Sequence, residues 1–143
     1  MACGGIYRDN NAIYLGSFCD YIGEENSELA ELWVAMLAIE KAVSLGWRMF
    51  WIETNCLLVV KAFSDPALVP WKIRSRWRRC HDLSQSIDFM ISHIYREANF
   101  CADYLANIGH SSRSFCWFRF VHPFIVKDYL LDRDGIPKFR LFR

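Results

Sequence analysis

The stretch "IETNCLLVV" (residues 52–60) changes character halfway through. Its first residues continue "RMFW" (48–51) as a short run rich in apolar and aromatic side chains, which reads as a buried strand. From Cys56 onward "CLLVVKAF" reads as a helix, broken near Asp65–Pro66, because proline cannot continue one. Asn55 stands at the junction, and two readings are open. As an N-cap its side-chain oxygen accepts a hydrogen bond from a backbone N–H two or three residues on. It also stands at the carboxyl end of a strand, where ligands and catalytic groups gather in α/β folds. A strand running into a helix is the basic unit of an α/β domain.

The segments on either side of this junction fit the same class. "ACGGIYRDNNAIYLGSF" (2–18) reads as a β-hairpin turning at "DNN", with Gly4 and Gly5 either weakening the first strand or permitting close backbone approach. A helix starts at Asn26 or Ser27 and runs to about Leu45, where Gly46 supplies a left-handed stop. "WKIRSRWRRCHDLS" (71–84) reads as a helix, "IDFMISHIY" (87–95) as a strand and "NFCADYLANIG" (99–109) as a helix ending at Gly109. A hairpin followed by crossover units implies a mixed sheet. One domain is expected over residues 1–110, followed by an irregular extension over 111–143 packed on it.

Composition narrows the function classes. The 143 residues carry 17 Lys and Arg against 16 Asp and Glu, so no whole-molecule field steers the chain toward nucleic acid or membrane. The longest charge-free apolar run, Leu32 to Ile39, falls far short of the roughly 18 residues a bilayer span needs. No secretory leader pattern is present, and an intracellular protein, nuclear or cytoplasmic, with no membrane partner is expected. The six cysteines show no zinc spacing and read as reduced, packed thiols.

Several side chains have a functional and a structural reading. Glu31 shares a helical face with Ala35, Ala38 and Ala42, a stripe that lets another backbone approach; it also suits the helix dipole as a surface residue. Asp103 lies in the first turns of the last helix, on a polar stripe with Asn99 and Asn107, where a solvated acid is common. In "WKIRSRWRRC" five basic residues fall within eight, and Lys72, Arg76 and Arg79 recur at i, i+4 and i+7. That ridge suits the phosphates of a duplex or forms a solvated basic face. His93 alternates with Ile91 and Tyr95 on a strand face, a core pattern, and Trp33, Trp47 and Trp51 read as core.

Four stretches in register, "GGIYRD", "AELWVAMLAI", "WIETNCLLVV" and "ISHIYREANFCADYLA", resemble the plant reverse-transcriptase-like branch of the type 1 ribonuclease H family, over about Ala2 to Ile108. The resemblance implies an α/β fold, a ribonuclease H-like mixed sheet flanked by helices. It implies hydrolysis of the RNA strand of an RNA–DNA hybrid with Mg²⁺ held by carboxylates, since hard divalent ions take anionic oxygen ligands. Glu31 matches the family's helix glutamate, Asp103 its last aspartate, and Asn55 the aspartate of its Glu-x-Asp-Ser motif. The family's first, central strand with its Asp-Gly precedes "GGI"; the chain starts at "MACGGIYRD", and a domain lacking that strand and ligand is expected. The resemblance thus implies a retroelement-derived nucleic-acid-binding domain with Mg²⁺ chemistry at Glu31, Asn55 and Asp103, impaired in catalysis. Alternatives are a non-catalytic nucleic-acid-binding module and a decayed fragment or protein-interaction piece.

Overall fold

The computed structural model describes residues 1–11, 13–24, 26–95, 100–121 and 123; the side chains of Phe100 and Asp103 lie outside that description. Along the chain run β1 (Ala2–Arg8), β2 (Tyr14–Tyr21), α1 (Ser27–Ser44), β3 (Met49–Thr54), α2 (Leu57–Ser64), α3 (Arg74–Gln85), β4 (Asp88–His93), α4 (Phe100–Ser112) and β5 (Cys116–Phe118). Two short 3-10 turns, Pro66–Leu68 and Trp71–Ile73, join α2 to α3. The chain divides into two compact units, Met1–Glu24 with Tyr95–Arg143, and Glu25–Ile94.

The first unit is built on an antiparallel sheet of order β1-β2-β5. Its hairpin closes through Asp9, whose Oδ1 accepts from the N–H groups of Asn11 and Ile13 at 2.8 and 2.9 Å, a side-chain turn that explains the "DNN" signal. Helix α4 lies against one face of this sheet, burying Cys19, Cys101 and Leu105. Glycine permits the approach. A Cβ on Gly4 would stand 2.6 Å from Leu105 Cβ and 2.7 Å from the Ala106 nitrogen, and one on Gly109 would stand 2.9 Å from the Asp20 carbonyl oxygen. The opposite face is aromatic, with Tyr7 5.8 Å from both the Phe18 and Trp117 rings.

Two expectations are corrected here. Gly109 does not end the last helix, which continues to Ser112; its missing Cβ serves packing, and the left-handed residue beyond the end is Arg113 at φ 53°. Part of the segment after residue 110 is regular, since Cys116–Phe118 pairs with β2.

The second unit packs three helices with a parallel pair of strands, Met49–Thr54 running beside Asp88–His93. Helix α1 begins at Asn26, whose Oδ1 accepts from the Leu29 N–H at 2.7 Å. It stops at Gly46, φ 76°, where the N–H of Gly46 bonds the Val43 carbonyl and that of Trp47 bonds the Ala42 carbonyl, a double bond pattern that satisfies the last turn. Its buried side, Leu29, Leu32, Ala35, Met36 and Ile39, joins Ile52, Val59, Ile73 and Trp77 in one core.

Among the described residues, only one face of the β3–β4 pair is covered. Met49, Trp51 and Met90 are 76%, 57% and 61% exposed, while Ile52 is buried. Trp51 is therefore not a core residue, and its indole N–H donates to Ser92 Oγ at 2.8 Å across the exposed face. His93 is also exposed, because it closes β4 instead of continuing a covered strand. Among the described residues no helix is long and apolar enough to cross a membrane.

Candidate functional site

Strand β3 ends at Thr54, which is buried and whose Oγ1 accepts from the Cys56 N–H at 3.1 Å. This bond holds the strand-to-helix corner and leaves the half-buried Asn55 at the carboxyl end of the strand. The cap position of α2 is Cys56, one residue later than the sequence suggests, and its own side chain makes no cap bond. Asn55 is thus placed at the end of the strand, the position at which α/β folds gather ligands.

Glu31 lies in the second turn of α1 and is half-buried, next to Ala30 and Leu32, which are both buried. It belongs to the same unit as Asn55. The α1 stripe on which it stands includes the buried Ala35 and Ala42. Asp103 belongs to α4 in the first unit, and its side chain lies outside the described residues. Among the described residues no three His, Cys, Asp or Glu side chains form a metal-holding group.

The basic stretch divides into two kinds of residue. Arg76 turns inward: its Nε and Nη2 donate to Glu40 Oε1 and Oε2, both at 2.8 Å, a two-pronged charge-assisted pair. Its guanidinium also lies 4.5 Å from the centre of the Trp33 ring. These bonds from Arg76, together with a bond from Cys80, outweigh burial and hold the Glu40 carboxyl below the usual range. The Cys80 thiol is pushed up to about 12 by burial and by its bond to Glu40. Arg74 is used as well, donating from Nε and Nη2 to the Val69 carbonyl at 3.3 and 3.0 Å. Arg79 stays exposed on α3, and the exposed Lys72 lies in the preceding 3-10 turn with the exposed Trp71 beside it in sequence.

So the three-residue ridge keeps Lys72 and Arg79 outward, while Arg76 ties α3 to α1. Nothing in the local sequence marks Glu40 as the partner, since the pair spans 36 residues. Exposed Arg78, which the i, i+4, i+7 pattern passes over, adds a further outward cation on the same helix.

The family model described as "Reverse transcriptase-like" matches residues 2–109. The chain belongs to the reverse transcriptase-like family. Its fold is ribonuclease H-like. Among solved structures it is similar to ribonuclease H1 from the halophilic archaeon Halobacterium salinarum NRC-1, at 25% identity and a TM-score of 0.67, over 78% of this chain and 86% of that one. It is also similar in fold to the N-terminal ribonuclease H domain of rv2228c from Mycobacterium tuberculosis, solved as a fusion with maltose-binding protein. There the identity is 18% and the TM-score 0.57, over 78% of this chain and 93% of the other. No curated protein matches the chain.

Proposed function

We propose that this reverse transcriptase-like domain binds an RNA–DNA hybrid or a related duplex by its phosphates and cleaves it poorly. The observation that carries the reading is Asn55 at the carboxyl end of β3, a neutral amide at the place where the family resemblance puts an aspartate. Glu31, Asn55 and Asp103 are the site residues of this proposal, with Asn55 contributing no charge.

The donor set does not fit the Mg²⁺ that the resemblance implies. Mg²⁺ gives up its water reluctantly and takes carboxylates before amides. Glu31 and Asp103 supply anionic oxygens, and Asn55 supplies a neutral one.

Backbone binding falls to the outward cations of α3 and the turn before it, Lys72 and Arg79. Each phosphate contact adds about −0.9 to the slope of log K against log salt. Replacing Lys72 and Arg79 by alanine is expected to flatten that slope by up to ~2 units, and adding Arg76→Ala should change it little, because Arg76 is engaged by Glu40. Titrating a fluorescent hybrid across a salt series measures this. An unchanged slope in the double variant refutes binding through this surface. The full chain is also expected to show no detectable Mg²⁺-dependent hybrid cleavage. A rate near that of an intact family enzyme, abolished by EDTA, would overturn the impairment.

A further inference from the structure

We propose that Cys19 and Cys116 form a redox pair that closes to a disulfide when a hydroperoxide reaches Cys116, tying β5 covalently to β2. The register places the two residues directly opposite each other on antiparallel strands. Opposed residues of such a pair share a face, with Cα atoms about 4.5–5.5 Å apart. A disulfide spans Cα separations of about 4.4–6.8 Å, so closure asks for side-chain rotation and little backbone movement.

The environment assigns the order of attack. Cys19 is fully buried beneath α4, and burial together with the neighbouring Cys116 pushes its thiol up to about 11. Cys116 is half-buried, with its sulfur 3.8 Å from Ser114 Oγ and 4.0 Å from Ser112 Oγ, both exposed residues, the first between α4 and β5 and the second at the end of α4. The thiolate is the nucleophile in thiol oxidation. Cys116 sulfur therefore attacks the peroxide oxygen, the O–O bond breaks, and a sulfenic acid forms with release of water or an alcohol. Cys19 then attacks that sulfur, its proton leaves with the hydroxyl as water, and the S–S bond forms. Both thiols are oxidised and one hydroperoxide is reduced.

Other thiols are poorly placed to compete. A Cβ on Gly109 would lie 3.2 Å from Cys19 Cβ, so Gly109 is the α4 residue above Cys19. Cys101 is more than two turns earlier on that helix, about 12 Å along its axis at ~1.5 Å per residue. Cys3 pairs with Asp20, the neighbour of Cys19, and so faces the other side of the sheet. The consequence of closure is local. β5 is only three residues long, and its Trp117 ring covers Gly16, so a covalent tie fixes the edge strand and the indole together.

The test is peroxide titration of the full chain in the absence of reductant, then alkylation of remaining thiols, digestion and mass spectrometry. The expected result is loss of two thiols, one linked peptide pair joining Cys19 to Cys116, reversal by dithiothreitol, and slower amide exchange in β5. The Cys101→Ala variant should keep the link. The Cys19→Ala variant should instead leave a sulfenic acid at Cys116 that dimedone traps. If that variant fails to fold, the wild-type map alone decides. Oxidation of Cys116 to sulfinic acid with no linked pair, a link to a different cysteine, or the same link forming equally fast in urea would each overturn the proposal.

Discussion

The two units reach close packing by opposite means. In the Glu25–Ile94 unit the core is filled by bulk: Trp77, Met36, Leu32 and Ile39 are almost completely buried, and the Phe63 ring stands 4.8 Å from the Trp77 ring. In the unit that holds β1, β2, α4 and β5, helix and sheet meet where side chains are missing, at Gly4 and Gly109. The first kind of core is weakened by removing atoms and the second by adding them. Composition alone does not reveal this contrast, because both units are rich in apolar residues.

The sharpest way to break the comparison is Trp77→Ala, which should cost about 3–5 kcal/mol through lost burial and an unfilled cavity. Urea unfolding measures it, and a loss under ~1 kcal/mol would mean the unit collapses around the gap. Next is Gly4→Ala, expected to cost about 1–3 kcal/mol, because the new Cβ meets the backbone nitrogen of Ala106, which cannot rotate aside. A neutral outcome would remove the close approach from the account. Gly46→Ala separates space from conformation: nothing lies within 4 Å of the added Cβ, but φ is 76°. Its cost should be about 1 kcal/mol, and Gly46→Asn should recover much of it, since asparagine tolerates that conformation.

The smallest expected effect concerns Arg76 and Glu40. Both side chains are partly solvated, at 26% and 34% exposure, so Arg76→Gln should cost only about 0.5–1 kcal/mol at neutral pH. A carboxyl whose pKa is lowered by folding adds stability that is present above its unfolded value and lost as pH falls through the folded one. The gap between wild type and variant should therefore be constant at neutral pH and close as pH drops through and below the ordinary glutamate range. A gap that persists in acid would assign the effect to packing on Trp33 instead of charge.

Much of this was legible in the sequence wherever the signal is local. Asn26 and Gly46 mark the ends of α1 through side-chain and backbone chemistry within one turn of the helix, and both act as read. The hairpin, the break at Asp65–Pro66 and the strand before Asn55 follow from neighbouring residues in the same way. What failed needed knowledge of the other side of a contact. Alternation along β3 and β4 identifies two faces, yet it does not say that the face with Trp51 is left uncovered. A glycine near a helix end has the same letter whether it stops the helix or admits a neighbouring strand, and Gly109 does the latter. The position of Asn55 at the end of β3 was legible from the strand–helix junction, and the half-buried position of Glu31 from its alanine stripe. The withdrawal of Arg76 was not, because Glu40 and Trp33 arrive from another helix.

The parallel pairing of β3 with β4 also bears on the order of folding events. Met49 aligns with Asp88, so no rung of this ladder forms until the chain through α2, both 3-10 turns and α3 has been brought round. Closing that long loop costs entropy before any strand bond repays it, whereas α1 closes its own ends within one turn. We expect α1 with its contacts to α3 to be formed in the rate-limiting transition state and the strand pair to follow. Truncating Ile39 to valine should then slow folding, and truncating Ile52 to valine should mainly speed unfolding. The reverse pattern in stopped-flow chevrons would place the strand ladder first.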